Sequence, residues 1–342
     1  MAHRLGRYTI EFKSAPSIIG SAGVVGKNEG EGPLGEEFDY IFPDDTLGEA
    51  SFEKSESAIQ REAVIRAVNK ANVPMQDADC IFAGDLLNQC IASTFGLRQF
   101  GIPFIGIYGA CSNMSLSLGI SAVFVDSGAS NISVAATSSH FCSAERQFRL
   151  PLEYGGQRPP TAQRTVTAAG ATVVGKHKSD CPSINAVTFG KITDLGIKDA
   201  NNMGAAMAPA ASHTISVFFE DTGLKPSDID YIVTGDLGFV GSELLIDLLK
   251  KDHDIDISAN HLDCGKMMYY RKEQDVHAGG SGCGCCASIL NTYFLNRIKK
   301  GEIKRILVTA TGALMSPTST QQGETIPSIA HSVLISMPDN IN

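Results

Sequence analysis

Residues 77–86 read DADCIFAGDL, and residues 228–237 read DIDYIVTGDL, so one pattern recurs at a spacing of 151 positions (228 minus 77). In each copy an apolar run ends at Gly-Asp, which is typical of a buried strand that opens into a loop. A helix-like segment precedes each copy, at 57–73 and at 210–224, and a proline follows each segment as a stop signal. The chain therefore contains two versions of one helix–strand unit.

A second pair of segments extends this repeat. SVAATSS at 133–139 resembles LVTATGA at 307–313, and a long apolar helix pattern precedes each, at 114–128 and at 286–301. Helices that alternate with strands predict parallel βαβ units. We therefore expect an α/β fold with five layers, α/β/α/β/α, built from two duplicated halves.

The repeat also predicts where the halves divide. We assign residues 1–180 to an N-terminal half and residues 181–342 to a C-terminal half, which meet near the segment DCPSIN. Chance similarity between α/β segments is the alternative. Two pairs of similar segments in the same order argue against it.

Composition and charge narrow the class of protein. The 342 residues are 43% hydrophobic and 19% charged, as in an ordinary globular protein, and the net charge of -9 argues against a nucleic-acid partner. No apolar run reaches the roughly 18 to 20 residues of a membrane span, and the N-terminus lacks the apolar core of a signal peptide. The nine unevenly spaced cysteines favour free thiols in a reducing compartment.

Two segments depart from the overall charge. Residues 28–57 hold ten Asp or Glu against one Lys, which indicates a solvated loop, with a calcium site as the alternative. Residues 140–178 hold six Lys or Arg against two Glu. Loops after strand ends bind ligands in α/β proteins, so this basic segment is either a ligand loop or a surface for a partner chain or anionic lipid.

The stretch GIYGACSN at 106–113 places Cys111 between a strand and a long apolar helix. Unsatisfied N–H groups and the helix dipole at a helix start lower the pKa of a thiol. The small residues before Cys111 allow a sharp bend that would project the side chain into a cavity. The alternative is that Cys111 is simply a small buried residue on the helix.

The stretch HAGGSGCGCC at 277–286 precedes the second-half helix as GIYGACSN precedes the first. A structural zinc site commonly has paired Cys-x-x-Cys ligands, and this spacing is absent here. We therefore interpret the stretch as a second glycine-rich bend and predict no metal site.

GACSN before its helix, the duplicated halves and TAAGATVVGK at 167–176 together resemble the thiolase superfamily. From APSIIGSAGVVGK at 15–27 to SVLISMP at 332–338, the chain more closely resembles the stage V sporulation protein AD family of spore-forming bacteria. This resemblance implies a soluble thiolase-like protein, peripheral at the forespore inner membrane and otherwise cytoplasmic. It implies uptake of dipicolinic acid (pyridine-2,6-dicarboxylate), free or as its calcium chelate, which binds where a ketosynthase has its active site.

The resemblance also bears on whether Cys111 acts as a catalytic nucleophile. Cys111 matches the thiolase nucleophile, and HAGGSG at 277–282 resembles the thiolase His-Pro-x-Gly-x-Ser-Gly loop without its Pro, so we expect His277 to point into a shared pocket. The loop TGDLG at 234–238 has Asp236 where ketosynthases usually have His or Asn. A carboxylate raises the pKa of a neighbouring thiol and donates no hydrogen bond to an oxyanion. We therefore expect a binding protein and not an enzyme; an active acyltransferase that uses Cys111 is the alternative.

Dipicolinate carries two carboxylates, and burial of unpaired charge is costly. Helix N-termini, serine hydroxyls and an arginine side chain could offset the charge of the two carboxylates. The residues that we expect to bind the ligand are Cys111, Ser112, His140, Arg149, Asp236, His277, Gly280 and Ser281. We expect no catalytic residue and no cofactor. The family further implies a homodimer and integral membrane proteins of the same uptake system as partners.

Overall fold

The computed structural model describes residues 2–148 and 158–338. The strands are β1 (Ala2–Arg4), β2 (Thr9–Phe12), β3 (Ser17–Val25), β4 (Tyr40–Ile41), β5 (Cys80–Gly84), β6 (Phe104–Gly106), β7 (Ile132–Ser139), β8 (Arg164–Thr165), β9 (Ala168–Gly175), β10 (Ser183–Phe189), β11 (Tyr231–Thr234), β12 (His261–Asp263), β13 (Gly280–Ser281), β14 (Arg305–Ala313) and β15 (Ser328–Ser336). The α-helices are α1 (Lys27–Gly30), α2 (Phe52–Ala71), α3 (Ile91–Leu97), α4 (Asn113–Ser127), α5 (Phe141–Phe148), α6 (Met203–Thr222), α7 (Gly238–His253), α8 (Cys264–Met267), α9 (Cys283–Ile289), α10 (Leu295–Lys299) and α11 (Pro317–Gln321). A π-turn at Leu290–Phe294 joins α9 to α10.

The main strands of the two halves have the same order and directions. In the first half the order is β3-β9-β7-β5-β6; β9 is antiparallel to both of its neighbours, and β7, β5 and β6 are parallel. In the second half the order is β10-β15-β14-β11-β12, with β15 antiparallel to both neighbours and β14, β11 and β12 parallel. The predicted duplication is therefore present as two equivalent sheets.

The two sheets enclose a central layer of helices. Helix α4 packs against strands of both sheets, and α9 packs against α4 and against β3, β7 and β9. Helices α2 and α3 cover the outer face of the first sheet, while α6 and α7 cover that of the second. One continuous apolar core includes Leu118 of α4, Ile289 of α9 and Val333 of β15, all fully buried. The predicted five-layer α/β/α/β/α architecture is confirmed.

The two halves are joined through their first long strands. Ser17 of β3 pairs with Ser183 of β10, so the two sheets form one continuous sheet. Two crossing contacts tie the halves further: β2 pairs with β10, and β8 pairs with β13. The predicted division between residues 180 and 181 lies in the connection from β9 to β10.

The predicted helices begin later than the observed ones. Helix α2 begins at Phe52 because the Ser51 hydroxyl accepts a hydrogen bond from the N–H of Lys54 at 3.4 Å. Helix α6 begins at Met203 and carries Pro209 inside it. Proline disfavours a helix interior, and the predicted segment begins at residue 210, directly after Pro209.

Candidate functional site

Cys111 lies in a tight turn between β6 and α4. Ala110 adopts the left-handed φ of 49°, which reverses the chain there. The Asn113 side chain accepts a hydrogen bond from the N–H of Gly109 at 2.6 Å, and the Ser112 hydroxyl donates to the Gly109 carbonyl at 2.6 Å. These bonds fix the turn and so fix the position of the thiol.

A small cavity of about 30 Å³ lies at this thiol. That volume is enough for water and lies below the range of small-molecule sites, so a larger ligand requires the cavity walls to move apart. Its apolar walls are formed by Leu86, Ala110, Ala144, Met203, Ala313 and Met315. Its polar lining is formed by Cys111, Glu145, Thr165 and Ser281.

Asp236 follows β11 and reaches the thiol from the second half. Its carboxylate accepts hydrogen bonds from the N–H of Gly282 at 2.8 Å, from the Thr311 hydroxyl at 3.3 Å and from the Cys111 thiol. Burial raises the pKa of Asp236 to about 7, against the opposing effect of these hydrogen bonds. The carboxyl group thus titrates near neutral pH.

The same arrangement suppresses the thiolate. Burial raises the pKa of Cys111 well above the usual value for a thiol, and the adjacent Asp236 carboxylate raises it further. The thiolate, and not the protonated thiol, is the nucleophile of a cysteine. Cys111 is therefore held as a protonated hydrogen-bond donor, as expected from an Asp in place of a His.

The second glycine-rich bend has an equivalent arrangement. The Cys283 thiol, at the start of α9, donates a hydrogen bond to the Ser138 carbonyl at 2.9 Å. Burial raises its pKa well above the usual value, and the carboxylates of Glu56 and Asp85 in the first half raise it further. The pKa of each thiol is thus raised by carboxylates of the opposite half, and Cys111 and Cys283 belong to one buried cluster.

The charges around the cavity are negative. Glu145 lines it directly, and its carboxylate accepts hydrogen bonds from the N–H of Thr165 at 3.2 Å and from the Thr165 hydroxyl at 2.9 Å. Lys, Arg and His are absent from the lining, as far as residues 2–148 and 158–338 define it. Glu145 is the one charged side chain among the described lining residues.

The model of the stage V sporulation protein AD family matches residues 6–336. The chain belongs to the stage V sporulation protein AD family. It is 43% identical over 330 residues to the stage V sporulation protein AD of Bacillus subtilis, and the match covers 96% of each chain. The resemblance found in the sequence is confirmed, and family membership supports a role in sporulation.

Solved structures confirm the thiolase-like fold of this family member. The 3-oxoacyl-[acyl-carrier-protein] synthase III of Aquifex aeolicus is similar with a TM-score of 0.58 at 16% identity, over 94% of this chain and 99% of that one. The cerulenin-bound OleA of Xanthomonas campestris is similar with a TM-score of 0.59 at 14% identity, over 94% of this chain and 98% of that one. At such low identity the likeness shows the fold alone.

The structure brings three of the predicted residues together. Cys111 and Ser281 line the cavity, and Asp236 contacts Cys111. Gly280 adjoins Ser281 in β13, and its carbonyl accepts a hydrogen bond from Gln163 at 2.8 Å. It supports the bend and does not line the cavity.

Ser112 is a correction to the predicted set. It is fully buried and does not line the cavity, because its hydroxyl is bonded to the Gly109 carbonyl. Its role is to close the turn that carries the thiol. The sequence indicates a hydroxyl beside Cys111 but does not show that this hydroxyl donates its hydrogen bond to a backbone carbonyl.

Neither of the two predicted histidines is among the residues that line the cavity. His140 is fully buried but faces the Asp45 carbonyl through Nε2 at 2.7 Å, and burial lowers its pKa. His277 lies with Nδ1 2.9 Å from the Pro159 carbonyl and Nε2 3.1 Å from Asp275 Oδ1. Neither lines the cavity, because local backbone and loop partners hold both rings.

The predicted arginine clamp is only partly described. Arg149 lies outside the described residues. The segment 140–178 is not one loop, since it contains α5, β8 and β9. Arg146 forms an ion pair with Glu53, and the Arg164 guanidinium stacks on the Phe141 ring at 4.3 Å. Neither arginine is among the cavity-lining residues.

Sequence reasoning missed eight of the ten lining residues: Leu86, Ala110, Ala144, Glu145, Thr165, Met203, Ala313 and Met315. Glu145 lies on α5, directly after the strand that ends at residue 139, so its position after a strand end was a usable signal. Met203 gave no signal, because its helix was predicted to begin later.

The stretch HAGGSGCGCC forms a bend into α9. Gly279 and Gly282 have φ of 102° and 105°, which favour glycine, and a Cβ at Gly282 would lie 2.7 Å from the Ser139 hydroxyl. Across the described ranges, no group of three or more His, Cys, Asp or Glu side chains could hold a metal ion. The calcium alternative for residues 28–57 therefore has no such cluster to support it.

Proposed function

We propose that this chain binds dipicolinate as its calcium chelate in the Cys111 cavity and does not transform it. The observation that supports the proposal is a cavity with apolar walls and with the oxygen atoms of Glu145, Thr165 and Ser281 on its polar side. The calcium chelate of a dianion is neutral, so its burial avoids the cost of an unpaired charge.

The polar side of the cavity suits the metal of the chelate. Calcium takes six to eight oxygen ligands. Dipicolinate offers its ring nitrogen and two carboxylate oxygens, which leave positions for protein oxygens. Glu145, Thr165 and Ser281 place a carboxylate and two hydroxyls on the cavity lining. Leu86 and the two methionines offer apolar surface to the ring faces.

Calorimetric titration tests this proposal. We expect saturable binding of calcium dipicolinate, weaker binding of free dipicolinate, and no binding of pyridine-3,5-dicarboxylate, which cannot chelate through its ring nitrogen. Ala313→Leu should weaken binding about tenfold or more, because the larger side chain fills the cavity. Ala129→Leu is the control, since Ala129 is exposed.

Two results would contradict the proposal. One is equal affinity for all of these dicarboxylates. The other is unchanged affinity in the Ala313→Leu variant when its thermal unfolding matches that of the wild type. Cys111→Ala should weaken binding by reshaping the wall while the fold is retained.

We also infer that the chain lacks acyl-transfer activity, because Asp236 holds Cys111 protonated. Incubation with acetyl-CoA should leave the intact mass unchanged. A lasting acetyl adduct on Cys111 would support the acyltransferase alternative instead. A Cys111→Ala sample controls for adducts on other residues.

We propose that the chain forms a homodimer through β6. Among the described strands, this one pairs with β5 alone, and it carries exposed Phe104 and Ile105, with exposed Tyr108 close by in the chain. An apolar edge strand with unpaired backbone groups favours antiparallel pairing with a second copy. Ile105→Lys should give a monomer by light scattering, whereas Leu244→Lys, on α7, should not. A monomeric wild-type chain would refute the proposal.

We propose that the protein acts at the forespore inner membrane with integral membrane proteins of the same uptake system. In the described part of the chain, no helix has the length and apolarity to cross a bilayer. Family membership supports the proposal. Fractionation of sporulating cells should recover the chain with membranes, and its recovery only in the soluble fraction would contradict this.

A further inference from the structure

The Cys111 cavity is closed on nearly every side. Of its ten described lining residues, nine have buried side chains, and Met203 alone is half-buried. A volume of about 30 Å³ is enough for water but not for an organic ring, which needs a site of roughly 300 Å³ or more. A ligand can therefore enter only if part of the lining moves, and the part that already meets solvent is Met203.

The polar part of the lining is held by hydrogen bonds. Glu145 accepts from both the N–H and the hydroxyl of Thr165, at 3.2 and 2.9 Å. Strand β13, which carries Ser281, pairs with β8, which carries Thr165. The Cys111 thiol is bonded to Asp236. Movement of any of these residues would leave a buried polar group unpaired, which is costly.

The backbone that carries Met203 is held as well. The Asn202 side chain caps α6 by accepting a hydrogen bond at 3.3 Å from a backbone N–H in the first turn. A Cβ at Gly204 would lie 2.8 Å from the backbone nitrogen of Gly241 and from the Leu237 carbonyl oxygen, so the starts of α6 and α7 are in close contact. The start of α6 is therefore fixed, and the Met203 side chain is the part that can turn.

A methionine suits this position. Its side chain is unbranched, has three rotatable bonds and adapts to irregular surroundings. It carries no N–H or O–H group, so its rotation breaks no hydrogen bond. Met315 is a useful contrast, because it lines the same cavity but is only 7% exposed and belongs to the buried cluster on which Met203 packs.

We propose that the Met203 side chain is the gate of the Cys111 cavity. Its rotation opens a path from solvent to the thiol and adds the space of the side chain itself to the cavity. This gate deepens the ligand proposal and rests on it for the identity of the guest. Access to the thiol is a property of the gate alone, so the gate can be tested without a ligand.

Methyl methanethiosulfonate is a small probe of thiol access. It transfers its methylthio group to a cysteine: a new S–S bond forms at Sγ, the S–S bond of the reagent breaks, and methanesulfinate leaves while the thiol proton passes to water. Peptide mass spectrometry follows the adduct on Cys111 over time. We expect Met203→Ala to raise the rate about tenfold, and Met203→Phe, with a larger and stiffer side chain, to lower it about threefold.

Met315→Ala is the matched control, because it removes the same atoms from a part of the lining that is buried. We expect it to change the Cys111 rate by less than about threefold. Cys181 is the internal reference in every sample. This half-buried cysteine precedes β10 at the sheet edge where β14 begins, whereas the cavity lies where β14 ends, so its rate should be the same in all variants. Circular dichroism checks that each variant is folded.

Equal acceleration by Met203→Ala and Met315→Ala would overturn the gate, because a loosened cavity would then explain the access. A Cys111 rate, or an absence of reaction, that is the same in the wild type and in both Met203 variants would overturn it as well. Calorimetry with calcium dipicolinate separates the two proposals. Binding of the chelate with a thiol rate that does not depend on residue 203 refutes the gate alone. A rate that follows residue 203, without binding of the chelate, supports the gate and refutes the ligand proposal.

Discussion

Gly312→Ala is expected to destabilise the protein by about 3 kcal/mol or to prevent folding. A Cβ at Gly312 would lie 2.1 Å from the Gly109 carbonyl oxygen, and 3.2 Å from the Cβ of Ala110. Neither side can move easily. Strand β14 is paired on both sides, and Gly109 is held by Asn113 and Ser112. The clash therefore falls on the turn that positions Cys111.

Urea unfolding monitored by circular dichroism measures this loss. Gly106→Ala is the matched control, because its added Cβ would meet the ring of Phe104 at 3.3 Å and no rigid backbone. We expect the control to stay within about 1 kcal/mol of the wild type. Similar urea midpoints for Gly312→Ala and the wild type would contradict the close approach of Gly312 to the Gly109 carbonyl.

Asp236→Asn is expected to remove a pH dependence of stability. Burial raises the pKa of Asp236 from 3.8 to about 7 in the folded protein. The unfolded chain therefore releases this proton at lower pH, so stability falls as the pH rises from about 4 to 7 and stays low above that. The pKa difference corresponds to about 4 kcal/mol at pH 8. The Asn variant lacks this loss, and its stability should exceed that of the wild type at pH 8.

Urea unfolding from pH 4 to pH 8 checks the slope. Asp256→Asn is the control, because hydrogen bonds from Ser258 and Lys250 lower the pKa of this exposed carboxylate to about 2, outside the tested range. It should leave the slope unchanged. If Asp236→Asn and the wild type lose stability in parallel over this range, the buried proton is not on Asp236.

The sequence predicts the fold because the fold is duplicated. Asp85 and Asp236 occupy equivalent ends of β5 and β11, so one similarity of ten residues aligns both halves and with them the strand order. The turn at Cys111 and the bend before Cys283 were also predictable, since small residues before an apolar helix leave few conformations. Backbone features of this kind are local in sequence.

The directions of side chains were not predictable in the same way. His277 has a left-handed φ of 51°, and its ring bonds the Pro159 carbonyl and the Asp275 carboxylate outside the cavity lining. Glu145 and Met203 reach the cavity from segments far apart in sequence. Their convergence depends on how both halves pack. No local sequence pattern predicts how the two halves pack.

The reciprocal placement of thiols and carboxylates has a consequence for synthesis on the ribosome. Cys111 of the first half bonds Asp236 of the second, and Cys283 of the second half bonds the Ser138 carbonyl of the first, so each half completes the interior of the other. A nascent chain released near its midpoint would leave the turn at Cys111 and the carboxylates of Glu56 and Asp85 open to water. The cavity at Cys111 is thus complete only when both halves have been synthesised, since its lining runs from Leu86 in the first half to Met315 in the second.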